Sequence, residues 1–395
     1  MNNYLHSAIS KIYGEDDDFI LIGLTGRTGS GCSTVAKILS EPIDKLNYSL
    51  FTSNKPTSNQ QRKEKIIHNF LQKNWQPFVT IQVRSLLTLM LAQSSNDEVK
   101  SLIESVSSEV GAEKINQIIN ILEDIKTNFS TLAINEGDKT DFYGTKLPAH
   151  SHRIREALSE GNFVKLYQTI GSNVRNSGSP IGSEITEGKF FTLAEKINEV
   201  VKEIREEKKG KQKTFIAIDA IRNPFEAIYF QERYSSFYLM AVSCEDEQRK
   251  GRLRKSGFID AQIAAIDKQE YSDLDISEEA AYVWQDIQAC LQRADLYINN
   301  PDSQNVVSGF KDLTNQVLTF VSLMKHPGLI TPTSIERCMQ IAYTAKLNSG
   351  CISRQVGALI TDKNFSVQAV GWNDAPHGQV PCNLRNRFDL ELGND

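Results

Sequence analysis

The amino-acid sequence predicts an α/β protein with a parallel β-sheet, followed by a smaller second domain. Short apolar runs rich in β-branched residues alternate with longer segments whose apolar residues recur every three or four positions. This alternation is typical of a parallel sheet with crossover helices. The strand-like runs lie at Phe19–Leu24, Phe215–Ile218, Phe237–Val242 and Arg293–Asn300. The length of 395 residues suggests two or three domains.

The first strand-like run leads into a glycine-rich turn, Gly26–Ser33, and then into a helix-compatible segment, Thr34–Leu39. Strand, glycine-rich turn and helix form the layout of a P-loop, in which backbone N–H groups and a helix N-terminus surround a phosphate. Gly26, Gly31 and Ser33 match the spacing of the pattern G-x-x-x-x-G-K-[ST], but Cys32 stands at the lysine position. The turn therefore predicts phosphate binding without the charge of the usual lysine.

Residues 50–165 carry mostly helical periodicity and are interpreted as a helical insertion. The predicted helices are Arg62–Leu71, Pro77–Ala92 and Ala112–Lys126. A further amphipathic helix is expected at Phe191–Glu207, and another at Gln304–Met324.

The composition is that of an ordinary globular chain, with 40% apolar and 24% charged residues. A net charge of −5 gives no general attraction to nucleic acid or anionic membranes. The start of the chain lacks the features of a signal peptide, so we expect a cytoplasmic protein without a membrane partner. Six scattered cysteines favour thiols or metal ligands over a disulfide framework.

Five segments of the first domain resemble the P-loop nucleoside-monophosphate kinases, including dephospho-coenzyme A kinase. They are GLTGRTGSGCST at 23–34, QTIGSNVRNSG at 168–178, IDAIRNPFEA at 218–227, KGRLRKSG at 250–257 and ADLYINN at 294–300. The resemblance implies a kinase-like domain over residues 1–325. It also implies nucleotide-binding roles for Gly26, Thr28, Gly29, Ser30, Gly31, Cys32, Ser33, Thr34, Asp219, Arg222, Arg252 and Arg254.

In that family Asp219 and Arg222 would lie at strand ends facing the phosphates, and Arg252 and Arg254 on a mobile lid. Arg175 would approach the acceptor nucleotide. Ser33 could hold Mg²⁺ beside a nucleoside triphosphate. Because Cys32 cannot balance the charge of a phosphoryl group in transfer, we expect nucleotide sensing rather than kinase activity.

The second domain is predicted over residues 326–395. Thr333 and Glu336 have capping-box spacing and start a predicted helix, Ile335–Leu347. Two strand-like runs, Val356–Thr361 and Val367–Gly371, are separated by a short polar turn and predict a hairpin.

Residues 335–382 of this domain resemble the opening of the zinc-dependent deoxycytidylate deaminases, through C-x-S-R-x-V-G-A-L-I and G-W-N-x-x-P-x-G. The resemblance implies the N-terminal part of a cytidine-deaminase-like α/β/α domain. Arg354 would grip the substrate phosphate and Asn373 would contact the sugar and base, although Asn373 also suits turn chemistry. Core positions in the first strand and packing by Trp372 are expected as well; the core positions are Val356, Gly357, Ala358 and Ile360.

The catalytic motifs of that family, H-x-E and P-C-x-x-C, do not occur in the sequence. They would follow the G-W-N segment, beyond Asp395, so the domain is interpreted either as incomplete at its C-terminus or as a non-catalytic remnant. Cys351 and Cys382 correspond to positions that bind a second, structural zinc in some members. The alternative is that both are thiols without a metal.

The fusion of the two domains resembles the bacterial antiphage dCTP deaminases. The resemblance implies deamination of dCTP, and in some cases dCMP, with Zn²⁺ as cofactor and with the P-loop domain as a nucleotide-binding regulatory module. A nucleotide effector, an inhibitory partner or RNA, and a homo-oligomer are the partners it implies. The alternatives are a nucleotide or nucleoside kinase and a non-catalytic nucleotide-binding regulatory protein.

Overall fold

A computed structural model describes most of the chain. The described residues are 18–106, 110–135, 138–210, 212–270, 284–301, 311–352, 354–386, 388 and 391–393. The chain divides into two compact units, Met1–Pro327 and Gly328–Asp395. Each unit is described by itself.

The first unit is built on a five-stranded sheet with the order β2-β3-β1-β4-β5, and every pair in it is parallel. The strands are β1 Phe19–Thr25, β2 Val79–Gln82, β3 Thr214–Asp219, β4 Phe237–Ser243 and β5 Leu296–Asn299. A parallel α/β sheet is confirmed.

Helices connect these strands and cover both faces of the sheet. They are α1 Cys32–Ser40, α2 Asn59–Asn74, α3 Val83–Ala92, α4 Asn96–Val106, α5 Ala112–Asn135, α6 Leu147–Ala157, α7 Glu160–Ser177, α8 Thr192–Lys208, α9 Pro224–Gln231, α10 Asp246–Lys255, α11 Asp260–Glu270, α12 Ile287–Arg293 and α13 Lys311–Lys325. Short helical turns lie at Ile43–Lys45, Lys139–Asp141 and Phe142–Lys146. The first residues of the helix predicted at Gln304–Met324 lie outside the described ranges.

The prediction of one helix over Pro77–Ala92 was wrong in its first part. Val79–Gln82 forms β2, the edge strand beside β3, and α3 begins directly after it. A short apolar run does not distinguish a strand from a buried helix by periodicity alone. Here the β-branched residues Val79, Thr80 and Ile81 favour the strand.

The central strand β1 is buried along its whole length, because helices pack on both faces of the sheet. Its side chains alternate between two apolar cores: Leu21 belongs to one, whereas Ile20 and Ile22 belong to the other. The register pairs Leu24 with Asp219, and the edge strand pairs Gln82 with Asp219. The carboxyl ends of β1, β2 and β3 therefore meet at one edge of the sheet.

The described residues of the second unit form a helix, α14 Ser334–Lys346, and an antiparallel hairpin, β6 Gly357–Thr361 and β7 Val367–Trp372, with a short helical turn at Cys382–Leu384. The predicted capping box is confirmed. Thr333 N–H donates to Glu336 Oε2 at 2.6 Å, and Glu336 N–H donates to Thr333 Oγ1 at 3.2 Å.

The prediction that the first strand of this hairpin supplies core residues was wrong. Ile360 is 64% exposed and Val356 is 46% exposed, while Ala358 is also exposed and Gly357 is half-buried. Helix α14 passes directly over Gly357, where a Cβ would meet Ala342 O, so one face of the hairpin is covered at this point. Trp372, expected to pack, is also 46% exposed.

A membrane-crossing helix is not found among the described residues, since none of their helices combines the required length and apolar character.

Candidate nucleotide-binding site

The glycine-rich turn, Gly26–Ser33, joins β1 to α1 in a backbone conformation that requires glycine. Gly29 and Gly31 have φ angles of 88° and 113°, in the region that side chains disfavour. A Cβ on Gly31 would also collide with Asn300 Nδ2. The first hydrogen bond of α1 runs from Thr34 N–H to Gly31 O at 3.0 Å, so the amides of Cys32 and Ser33 precede the intrahelical ladder.

Ser33 and Asp219 face each other at the edge where the strands end. Ser33 Oγ donates to Asp219 Oδ2 at 3.0 Å. Burial raises the pKa of the Asp219 carboxyl above its ordinary value, against the opposing effects of Arg84, Ser33 and Arg222. A hydroxyl and a carboxylate beside a phosphate-binding turn are oxygen ligands of the kind Mg²⁺ prefers, so this pair fits that ion.

Cys32, at the lysine position, carries an uncharged thiol. Burial raises its pKa to about 12, and the carboxylate of Asp219 contributes in the same direction. Its sulfur lies 3.7 Å from Ser30 Oγ. A thiol with that pKa is protonated at neutral pH, so it neither balances phosphate charge nor acts as a thiolate nucleophile.

A cavity of about 650 Å³ opens in front of the turn. Gly26, Thr28, Gly29, Gly31, Cys32, Ser33 and Thr34 line it, together with Asp219 and Arg222. Six arginines are among its lining residues: Arg27, Arg84, Arg155, Arg175, Arg222 and Arg252. The structure thus brings most of the predicted nucleotide-binding residues to one cavity with several arginines in its wall.

Most of these arginines already hold carboxylates. Arg27 pairs with Asp246 at 2.8 Å, and Arg155 pairs with Glu160 at 2.8 Å. Arg84 instead donates to the neutral Gln82 Oε1 at 3.1 Å, and its charge acts on Asp219. Arg84 therefore keeps a charge that a phosphate could neutralise.

Arg252, predicted to lie on a lid, holds the backbone of the turn. It donates to Ser30 O at 3.3 Å and to Asn300 O at 2.8 Å, and Asn300 Nδ2 also donates to Ser30 O at 2.8 Å. Ser30 is buried, and it contributes to the shape of the turn rather than to the cavity wall. Arg254 is not brought to the cavity, because it pairs with Asp260 at 2.8 Å on the exposed side of α10.

Arg222 and Thr28 share a carboxylate that the sequence did not predict. Arg222 Nη1 lies 2.6 Å from Glu270 Oε1, and Thr28 N–H donates to the same oxygen at 2.9 Å. The hydroxyl of Thr28 also donates to Glu270. The side chain of Glu270 is fully buried in this contact.

The far wall of the cavity belongs to α3 and α7 and combines aromatic rings with amides. The rings of Phe163 and Tyr167 are 4.5 Å apart. Two buried amide atoms of lining residues, Gln168 Nε2 and Gln285 Oε1, have no hydrogen-bond partner among the described residues. Arg175, expected to approach an acceptor, instead forms a buried ion pair with Glu226 at 2.7 Å.

In the second unit the two predicted substrate ligands lie next to each other. Asn373 Nδ2 donates to Arg354 O at 2.7 Å. Asn373 Oδ1 accepts from Val356 N–H at 2.7 Å and from Ser349 Oγ at 2.9 Å. The Asn373 amide therefore binds the segment that precedes β6 rather than the turn before Pro376, and the Arg354 side chain is exposed.

The two candidate zinc cysteines lie on neighbouring segments. Asn383 N–H donates to Gly350 O at 3.0 Å, so the residue after Cys382 contacts the residue before Cys351. Cys351 is half-buried and Cys382 is exposed. Among the described residues no group of three or more His, Cys, Asp or Glu side chains is arranged to hold a metal, so zinc binding stays a prediction.

Sequence reasoning missed Arg84, Glu270, Gln285 and the clamping role of Asn300. Arg84 had a usable signal, because it follows β2 by two residues, at the strand end where ligands bind in parallel sheets. Glu270 had none, since it reaches Thr28 across 242 positions of the chain.

Comparison with known proteins adds no relative: no family model, no curated protein and no solved structure matches this chain.

Proposed function

We propose that the first unit binds the phosphates of a nucleotide at the glycine-rich turn and does not transfer them. The carrying observation is the convergence on one cavity of the turn, the Ser33–Asp219 pair and Arg84, which forms no ion pair among the described residues. Helix N-terminal amides and arginines are the groups that bind phosphate. A volume of about 650 Å³ lies in the range of small-molecule sites.

The rest of the cavity supports a nucleotide over inorganic phosphate. The aromatic pair Phe163 and Tyr167 offers an apolar surface for a planar base. The buried amide atoms of Gln168 and Gln285 offer one donor and one acceptor. The neutral Cys32 supports nucleotide binding without phosphoryl transfer, because phosphoryl transfer needs a cation to stabilise the transferred group.

Calorimetric titration with MgATP and Mg-dCTP tests this proposal. We expect both nucleotides to bind and the nucleosides adenosine and deoxycytidine to bind far more weakly. Arg84→Gln should weaken nucleotide binding by roughly tenfold. Arg153→Gln is the matched control, because Arg153 is 51% exposed and pairs with Asp124 away from the cavity. Equal affinity for nucleoside and nucleotide, or robust phosphoryl transfer from labelled ATP to a nucleoside monophosphate, would reject the proposal.

Deamination of deoxycytidine nucleotides is the second candidate, for the second unit. The hydrogen bond that joins Arg354 and Asn373 supports it, because it puts the two residues implied by the deaminase resemblance at one place. In that case the first unit would act as the nucleotide-sensing module. The assay is ammonia release from dCTP and dCMP by zinc-loaded protein that carries the expected H-x-E and P-C-x-x-C motifs. Failure of both substrates in the presence of a bound nucleotide would exclude this function.

A further inference from the structure

Glu270 takes part in a contact that is suited to a phosphate. Its carboxylate accepts the Thr28 N–H of the glycine-rich turn at 2.9 Å and pairs with Arg222 at 2.6 Å. A backbone amide of a P-loop-like turn and a guanidinium fork are donors that bind phosphoryl oxygens equally well. Both donors belong to residues that line the cavity, whereas Glu270 itself is fully buried beside them.

Burial of the Glu270 carboxylate has a cost that this contact offsets. The side chain of Glu270 is fully buried, and a buried charge is stable only when it is paired and hydrogen-bonded. The donors of Thr28 and Arg222 supply that pairing. A competing anion that takes the same donors removes the compensation and favours release of the Glu270 side chain.

The helix that carries Glu270 packs mainly on a neighbouring helix rather than on the sheet. Helices α10 and α11 share a small apolar cluster distinct from the two cores of the sheet, with Val164 of α7 packed against it. Its buried members are Leu253, Phe258, Ile263 and Ile266. Elements with few buried apolar contacts to the main core open at lower free energy than the core does.

We propose that Glu270 is an internal competitor of the bound nucleotide: its carboxylate and a phosphoryl group of the ligand occupy the Thr28 amide and Arg222 alternately. This inference rests on the proposed nucleotide binding and adds its regulation. Nucleotide binding then displaces the Glu270 side chain and the part of α11 that carries it, and any event that holds this part of α11 in place lowers nucleotide affinity.

The test compares wild type, Glu270→Gln and Glu270→Asp in calorimetric titrations with MgATP and inorganic pyrophosphate. We expect Glu270→Gln to bind MgATP roughly tenfold more tightly, since the neutral amide competes less for Arg222. Glu270→Asp keeps the charge on a shorter side chain and should give an intermediate affinity. Asp260→Asn is the matched control, because it removes one exposed carboxylate from the first turn of α11 and should leave affinity unchanged.

A second measurement separates competition from a merely structural role. In wild type, MgATP should increase hydrogen–deuterium exchange in peptides covering residues 260–270, whereas Glu270→Gln should show raised exchange without ligand and little further change. Equal affinity of wild type and Glu270→Gln, or weaker binding by a Glu270→Gln protein with an unchanged unfolding midpoint, overturns the inference alone. Absence of binding by wild type and all variants overturns the proposed nucleotide binding as well.

Discussion

The two units place their polar candidate residues in opposite environments. In the first unit Asp219, Ser30 and Asn300 are buried and held by specific partners at the edge of a doubly covered sheet. In the second unit Arg354 and Asn373 are exposed beside a hairpin whose apolar side chains also face solvent. This difference in burial indicates in which unit stability and function depend on the same residues. We therefore expect a substitution at the candidate site of the first unit to change both stability and binding, whereas in the second unit the two effects can be measured separately.

The largest effect is expected from the buried ion pair at the cavity wall. Arg175 and Glu226 have side chains only 4% and 3% exposed. Arg175→Met should lower the free energy of unfolding by about 3–5 kcal/mol, because it leaves the Glu226 charge buried without its partner. Urea denaturation measures the loss.

The double variant Arg175→Met/Glu226→Leu is the control for that measurement. It removes both charges, so it should recover most of the loss. A double variant that is less stable than the single one would show that shape, rather than charge compensation, determines stability at this wall.

A smaller loss of stability is expected at the glycine-rich turn, where the same backbone conformation is needed for folding and for nucleotide binding. Gly31→Ala should cost about 1–3 kcal/mol because of its left-handed φ. It should also abolish nucleotide binding, since the new Cβ collides with Asn300 Nδ2. The control is Gly251→Ala in α10, where a Cβ meets nothing within 4 Å. That variant should gain about 0.5–1 kcal/mol and keep its affinity.

Comparable losses of nucleotide affinity in Gly31→Ala and Gly251→Ala would contradict this prediction. They would show that binding does not depend specifically on the backbone conformation of the glycine-rich turn. Thermal unfolding and MgATP titration of the same preparations supply the two readouts.

Strand positions in both units could be predicted from the sequence, because buried or paired strands leave short apolar runs. The predicted strands at Phe19–Leu24, Phe237–Val242 and Val367–Gly371 agree with β1, β4 and β7 to within a residue or two. Strand β2 was missed because it runs directly into α3 and shares its apolar run. Arg84 was missed for the same reason, because without β2 nothing in the sequence indicated that Arg84 follows the end of a strand.

What covers a strand, and which distant residue closes a site, could not be predicted. The apolar run at Val356–Ile360 indicates a strand, but it does not tell whether a second layer lies on the outer face. The contacts of Glu270 with Thr28 and of Arg252 with Asn300 connect separate helices and loops, and no periodicity records them. Local patterns specify elements, whereas tertiary packing specifies partners.

A pH-dependent effect should distinguish buried from exposed carboxylates within the first unit. Burial raises the pKa of Asp219 above 3.8, so Asp219 contributes its full stability below pH 3.8 and loses that contribution as the pH rises through its folded-state value. The stability of Asp219→Asn relative to wild type should therefore increase over that window. Urea denaturation from pH 4 to pH 8 measures the slope.

Asp246 supplies a control of opposite sign. Lys250 and Arg249 lower its pKa to about 2, so its contribution is present above pH 3.8 and is lost as the pH falls through about 2. Asp246→Asn should thus be less stable than wild type at pH 7, with a difference that shrinks in acid. The same slope for both variants would contradict the assignment of burial as the cause at Asp219.

The smallest effect on stability is expected in the second unit. There Asn373 is expected to stabilise the hairpin, whereas Arg354 is expected to affect activity only. Asn373→Ala removes three hydrogen bonds to the segment that precedes β6 and should destabilise the hairpin by about 1–2 kcal/mol. Arg354→Ala changes an exposed side chain and should alter stability by less than about 0.5 kcal/mol. Hydrogen–deuterium exchange of β6 and β7 measures both changes in stability.

If deamination is the function, Arg354→Ala should nevertheless lose dCTP turnover while its hydrogen–deuterium exchange stays unchanged, because the guanidinium of Arg354 would bind the substrate phosphate. Full dCTP turnover by Arg354→Ala would show that Arg354 does not bind the substrate phosphate. Phosphate binding would then be expected in the first unit alone.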